Sequence, residues 1–470
     1  MRKRFRSGRR LREDLIILSL SFLTISSLSL SKDIFVDEAM SLFCSKYYLT
    51  DCKFFDPQSP LFYFFLKISS LILGLNIIIH RIFLSFFVAT SVLLIIRAVS
   101  LYKKLKFRDK LILCFIISFT PVIYSSSLVR PYVFSLLFSS ISIFNFLNFL
   151  KSHENKWLLK SYFFDLIGGI FFYFNLLLIP IKAIFLINRK ETFIPLLLVL
   201  LLAFLLLFPL FLISREYSEA RMIATRWYKN YEDYLLAFLF NFPVELLKHQ
   251  VVGKVPHSLY FLVFVKISQI VFLLSLVGND KSLINLYILI MISILILFSL
   301  PLLQNLYFIF SRHFIALTVY LLTLAVILFP FNLNFFLILP ITFIFQTIFY
   351  IQTMFTGESY GACYKVYDAL NENSEVIVSS RFSSCLWYYE LMGRKNITIF
   401  EPFNENWFER NETSFMHWKI GASEFEMPRL PVTIEDHNYL IKVISKDKIF
   451  ICRKLMKEIN STNGMIFICK

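Results

Sequence analysis

The sequence predicts an all-α polytopic membrane protein of about eleven spans, followed by a small α/β domain at its C-terminal end. Three observations carry this expectation. Of 470 residues, 57% are hydrophobic and only 17% charged, whereas soluble domains run to about 25% charged. Apolar runs recur along the first 355 residues, too much Leu, Ile and Phe for water to face. From Thr356 the composition turns polar and strand-like. The change divides a transmembrane region, 1–355, from a soluble domain, 356–470.

The first span is expected over Leu15–Leu30. Arg2, Lys3, Arg4, Arg6, Arg9, Arg10 and Arg12 precede it, which places the N-terminus on the cytoplasmic side. No small-residue cleavage site follows, so the run reads as a retained anchor rather than a signal peptide. The net charge of +16 is compatible with nucleic acid or anionic lipid. The position of this cluster directly before a span favours headgroups and argues against a nucleic-acid partner.

Between this span and the next apolar run lies Ser31–Pro60, with the carboxylate pair Asp37-Glu38 and further acids at Asp51 and Asp56. Next comes Leu61–Leu75, short and carrying Lys67, and then a clear span at Ile82–Val99. The basic stretch Lys103–Lys110 decides the parity. If Leu61–Leu75 crossed the bilayer, that stretch would fall outside, against the positive-inside bias. Leu61–Leu75 is therefore expected to lie along the outer interface. The basic turns Lys151–Lys160 and Asn188–Glu191 then also fall inside.

Further spans are expected at 111–127, 132–150, 162–175, 176–188, 192–213, 258–277, 283–302, 313–330 and 333–350. Gly168-Gly169, Asn175 and Pro180 interrupt the run at 162–188, which reads either as two short spans or as one broken helix. Two spans give eleven and an extracytoplasmic C-terminus, in a multi-pass protein of the cell membrane. In the tail, Glu375–Ser379, Ile397–Phe400, Lys448–Lys454 and Met465–Cys469 read as strands. The segments 363–373 and 383–392 read as helices. Acceptor triplets for N-glycosylation begin at Asn396, Asn411 and Asn460, in keeping with an exterior tail.

Candidate chemistry follows from position. Asp37 and Glu38 fit a helix N-cap with an acid in the positive dipole field. They fit equally a general base able to take a proton from a hydroxyl. Arg81, Arg130 and Arg312 sit at outer span ends, where the positive-inside bias disfavours cations. Either they snorkel to headgroups, or they bind a substrate phosphate through guanidinium forks. His313 stands out among the histidines because it adjoins Arg312. The seven cysteines show no zinc-ribbon spacing, and no phosphate-binding loop, HExxH or GxSxG motif occurs. No metal and no cofactor is expected.

In order along the chain stand Val36-Asp37-Glu38-Ala39-Met40-Ser41, then Gln58-Ser59-Pro60-Leu61-Phe62-Tyr63, then His80-Arg81 opening a span. A basic turn follows, then Tyr124 to Tyr132 (YSSSLVRPY), and late in the chain SRHFIAL from Ser311. This layout resembles the GT-C membrane glycosyltransferases, in particular the dolichyl-phosphate-mannose–protein mannosyltransferase-like group. The match covers residues 31–190 in order and spacing and is looser beyond. The family's first Pro is here Ser59, its preceding His is Gln58, and the acid of its Glu-Ala-Arg motif is Leu128. Losing that acid removes a second carboxylate or metal ligand from the pattern.

The resemblance implies a polyprenyl-phosphate-linked sugar donor in the outer leaflet and an acceptor hydroxyl on a protein, glycan or lipid. It implies inverting transfer with Asp37 as base and Glu38 orienting the acceptor or the loop. Arg130, Arg312 and Arg81 would bind the donor phosphate, and Tyr63, Tyr132 and His313 would line the substrate cavity. Two other readings stand beside it. An oligosaccharyltransferase-like enzyme would show a metal-binding acid cluster and a Trp-Trp-Asp motif, and neither is present. A transporter or non-catalytic scaffold would show paired repeats and charges at mid-membrane.

Overall fold

The computed structural model describes residues 2–30, 38–39, 41–42, 45, 60–187, 197, 199, 201–202, 280–299, 311–328, 367–368, 375–378, 388–389, 398–402, 415–418, 439–444, 455–461 and 464–469. The spans expected at 258–277 and 333–350 and most of that at 192–213 lie outside them. The described helices are α1 (Arg2–Leu30), α2 (Pro60–Leu73), α3 (Ile77–Tyr102), α4 (Phe107–Ser118), α5 (Pro121–Ser125), α6 (Tyr132–Ser152), α7 (Asn155–Phe171), α8 (Leu178–Phe185), α9 (Lys281–Ser299) and α10 (Ile315–Leu328). The chain forms two compact units, one of Met1–Ser29, Pro57–Phe62 and Arg81–Ile348, the other of Leu30–Asp56, Tyr63–His80 and Phe349–Lys470.

Among the described residues, three segments are long and apolar enough to cross a membrane: Arg10–Leu30, Ile77–Tyr102 and Tyr132–Ser152. At 1.5 Å per residue, 21 residues reach about 32 Å, the thickness of a hydrocarbon core. Helices α1 and α3 run antiparallel and are pinned at both ends. Asp14 meets Arg97 at 2.7 Å at one end, and Arg81 Nη1 donates to the Ser29 carbonyl at 3.1 Å at the other. The chain between them therefore leaves and re-enters this pair at one end.

The basic turn after α3 comes back to the N-terminal half of α1, where Lys110 pairs with Glu13 at 2.8 Å. Lys151 Nζ reaches the Leu101 carbonyl at 2.7 Å, and Lys103 Nζ reaches that of Val326 at 2.8 Å. Burial lowers the Lys103 pKa to about 8. The turns 103–110 and 151–160 thus gather with the first turns of α1 at one end of the unit, as the charge pattern requires.

Two expected spans take a different form. The run at 111–127 begins earlier, at Phe107, and α4 stops at Ser118. Pro121 starts a separate five-residue helix, α5, after Thr120 has turned extended (ψ 123°). A residue before proline is pushed out of the helical region, and proline has no N–H to continue the ladder. The run at 162–188 resolves into two antiparallel arms. Extended Phe172 (φ −154°, ψ 107°) ends α7, a 3-10 turn covers Tyr173–Leu177, and α8 returns.

Gly168 and Gly169 permit that reversal. A Cβ at Gly168 would overlap Asn175 Nδ2, and one at Gly169 would overlap Leu176 Cδ2. A side chain at either position forces Asn175 or Leu176 to move.

In the second unit, α2 ends at Gly74 in the left-handed region (φ 68°), which only glycine enters freely. Asn76 Oδ1 then accepts from Ile78 N at 2.9 Å and caps α3. The Tyr388 hydroxyl accepts from Ile77 N at 3.2 Å, satisfying another first-turn donor. On α2 the residues Phe64, Ile68, Leu71 and Ile72 form an exposed apolar stripe.

This unit also holds a six-stranded sheet of β1 (Glu375–Val378), β2 (Thr398–Pro402), β3 (Phe415–Trp418), β4 (Tyr439–Ile444), β5 (Leu455–Ser461) and β6 (Gly464–Cys469). The order is β3-β2-β1-β4-β6-β5, with β2, β1 and β4 parallel and the rest antiparallel. A parallel pair needs a crossover, and Tyr388 and Tyr389 are helical within the β1–β2 connection. Strands β3, β4 and β5 were not legible in the sequence, and the strand expected at Lys448–Lys454 lies outside the described residues.

Gly169→Val should lower the midpoint of thermal unfolding in detergent, by about 1–3 kcal/mol of overpacking. An unchanged midpoint would mean that Leu176 does not close on α7.

Candidate functional site

The motif Tyr124–Tyr132 folds as a buried turn. Ser126, Ser127, Leu128, Val129 and Arg130 are all buried, although the backbone between α5 and α6 is not regular helix. Irregular backbone away from water must satisfy its own polar groups. Ser126 Oγ donates to the Val122 carbonyl and Ser127 Oγ to that of Tyr124, each at 2.6 Å, and Arg130 N reaches the Leu128 carbonyl at 2.7 Å. Pro131 then opens α6, its carbonyl accepting from Phe134 N at 3.0 Å. The serines of the motif thus satisfy carbonyls at the end of α5 just before the Arg130 turn.

Arg130 lies with its guanidinium carbon 5.8 Å from the Tyr132 ring centre, within cation–π range. Tyr132 meets Phe172 edge-on at 5.3 Å, and Phe172 stacks with His313 at 6.2 Å. Phe174 approaches His313 at 5.0 Å and Phe314 at 6.1 Å. An aromatic ledge therefore connects the Arg130 turn with the one-turn 3-10 helix Ser311–Phe314, which includes Arg312. Sequence positions about 180 residues apart converge here.

All of this lies at the end of the first unit opposite the basic turns. Tyr132 starts the helix whose last turn carries Lys151, and His313 precedes the helix whose last turn carries Val326. Arg81 is at the same end, buried and bound to Ser29. The structure therefore brings together Arg130, Tyr132, His313 and the Arg312 backbone, with Arg81 at the same end of the unit. Leu128, which stands where the related motif has an acid, is buried.

The other expected residues belong to the second unit. Glu38 is helical and fully buried, as are Ser41 and Leu42 beyond it, and Tyr63 is buried one turn into α2. Asp37 lies outside the described residues. His80 in this unit takes a defined tautomer. Its Nδ1 faces the Asn76 carbonyl at 3.0 Å and must carry the proton, and its Nε2 lies 3.3 Å from the hydroxyls of Ser69 and Ser70, of which Ser69 donates to the Leu66 carbonyl.

Sequence reasoning missed a second cluster. Lys182 on α8 and Asp165 on α7 are both fully buried and form an ion pair. Lys182 Nζ also donates to Ser142 Oγ and Ser161 Oγ at 2.6 Å, which uses all three of its protons. Ser142 on α6 donates to Asp165 Oδ1 and accepts from the Tyr320 hydroxyl of α10 at 2.8 Å. Rings of Phe146, Tyr162 and Tyr320 surround the ammonium at 5.3–5.6 Å. The available signal was one acid and one base on opposite sides of the break at Phe172. Among the described residues no group of three or more His, Cys, Asp or Glu could hold a metal ion.

The fold and composition define a helical membrane protein whose buried arginine motif stands at the end away from its basic turns. No family model matches the chain, and no curated protein matches its sequence. Among solved structures, ArnT from Cupriavidus metallidurans in the apo state is similar at 8% identity and a TM-score of 0.38, over 88% of this chain and 96% of that one. A likeness of that extent carries no argument about activity.

Lys182→Met alone should destabilise the protein by about 3–5 kcal/mol, because it leaves Asp165 charged and unpaired in an apolar core. Adding Asp165→Leu should recover most of that loss. Denaturant unfolding in detergent micelles reads both, and a double variant no better than the single would contradict the pairing.

Proposed function

We propose that this protein is a membrane glycosyltransferase of the GT-C type, which transfers a sugar from a polyprenyl-phosphate donor to an acceptor hydroxyl on the extracytoplasmic face. One observation above all supports this reading: the Arg130 turn and the Ser311–Phe314 turn meet on one aromatic ledge. The ledge stands at the end of the unit away from the basic turns. Guanidinium groups held rigidly in a water-poor setting suit the charge that develops on a departing phosphate.

In the proposed mechanism the acceptor oxygen attacks the anomeric carbon from the face opposite the lipid phosphate. The carbon–oxygen bond to phosphate breaks, its electron pair leaves with the phosphate, and the configuration inverts. Asp37 takes the proton of the attacking hydroxyl, and buried Glu38 orients the loop that carries it. Arg130 and Arg312 stabilise the leaving phosphate. Because a phosphate monoester leaves without protonation, one carboxylate suffices, which fits Leu128 at the position of the missing acid. The span count of eleven, the outer-interface placement of α2 and the extracytoplasmic side of the sheet domain are parts of the same proposal.

Membranes containing the protein, incubated with labelled polyprenyl-phosphate sugars, should pass the label to an acceptor. Asp37→Asn should insert normally and reduce transfer by at least about 100-fold, the usual contribution of a positioned base. Transfer that survives in Asp37→Asn would remove that residue as base. No transfer from any polyprenyl-phosphate sugar would favour a scaffold.

A further inference from the structure

The strongest unassigned feature is the buried cluster of Asp165, Lys182, Ser142, Ser161 and Tyr320. Four helices contribute to it: α6 through Ser142, α7 through Ser161 and Asp165, α8 through Lys182 and α10 through Tyr320. The ends of these same four elements build the aromatic ledge. Tyr132 is the first residue of α6, Phe172 and Phe174 lie in the turn between α7 and α8, and His313 lies just before α10. At 1.5 Å per residue, the cluster stands about 10–15 Å along each helix from the ledge.

We infer that Asp165 and Lys182 are positioning residues that set the register of these four helices and thereby hold Tyr132, Phe172 and His313 in place. Faces made of Leu, Ile and Phe pack acceptably in more than one register, since the contacts lack direction. A buried ion pair with directed partners has one. Its donors and acceptors also balance within the cluster: Lys182 donates to Asp165, Ser142 and Ser161, Tyr320 donates to Ser142, and Ser142 donates to Asp165. Sliding α6, α7 or α8 by one residue breaks several of these bonds at once, and sliding α10 breaks its bond to Ser142, in apolar surroundings that offer no replacement. Buried polar groups that fix helix register are the best-attested use of such pairs.

The contact between Ser135, in the first turn of α6, and Asn175, in the 3-10 turn, offers a reporter beside the ledge. Ser21 and native Cys114, with Oγ and Sγ 3.0 Å apart between α1 and α4, offer a control remote from the cluster. In the full chain with native cysteines kept, Ser135→Cys with Asn175→Cys should form a disulfide under mild oxidation, identified by mass spectrometry of the linked peptides. Ser21→Cys should link to Cys114 in the same way.

Adding Asp165→Leu and Lys182→Met should slow the first disulfide about fivefold or more, the population loss set by a coupling of about 1 kcal/mol. The control link should form as before. If the double variant does not accumulate, Tyr320→Phe, which removes one bond of the cluster, should give a smaller slowing of the same link only. Unchanged rates at 135–175 in whichever variant accumulates, or equal slowing of both links, would overturn the inference. Neither result depends on what the protein transfers.

Discussion

A charge inside an apolar bundle must find its partner within the protein, and the Asp165–Lys182 pair shows how far that requirement reaches. Buried among rings and apolar helices, the ammonium takes its three acceptors from a carboxylate and two serines on neighbouring helices. The need to satisfy those bonds together aligns α6, α7, α8 and α10 more strictly than their apolar faces could. Gly168 and Gly169 serve the same end, because they let the turn at Tyr173–Leu177 close onto α7 so that α8 returns beside it. The turn in turn carries Phe172 and Phe174 against His313.

The same rule explains the irregular segment before α6. Where a helix ends away from water its last carbonyls need local donors, and Ser126 and Ser127 supply them to Val122 and Tyr124 of α5. An arginine emerges from that turn beside an aromatic ring. Cations are thus present at both ends of the unit but in different forms. At one end they sit in the terminal turns of helices, or near them, with acids and helix carbonyls as partners: Lys110 with Glu13, Arg97 with Asp14, Lys151 with Leu101. At the other, Arg81 and Arg130 are buried in the protein. That contrast, more than the net charge, is what motivates the proposed lipid-phosphate donor.

Much of this was legible in the sequence. Helices α1, α3, α6, α9 and α10 follow their apolar runs, because runs of that length have few other stable forms in a bilayer. The grouping of the basic turns followed from charge bias alone. The convergence of Tyr132 and His313 could not be read from spacing, since it depends on which helices pack together. Asp165 and Lys182 were passed over because each looks isolated in its own run, and only the hairpin reversal makes them neighbours. The break at Pro121 was overlooked because hydropathy outweighed a backbone rule. In the sheet, β5 reads LMKEINS, whose acid and lysine suit an edge strand but look like helix. Asp37, on which the proposed chemistry turns, lies outside the described residues, and its role rests on the sequence pattern.

If the acidic first loop and the buried arginines share the face of the membrane away from the basic turns, the sidedness of single engineered cysteines must report it. The most direct measurement places Lys32→Cys in the first loop and Lys104→Cys in the turn after α3. In intact cells a membrane-impermeant maleimide should label the first and reach the second only after permeabilisation. Labelling of Lys104→Cys in intact cells, with Lys32→Cys protected, would contradict that shared face.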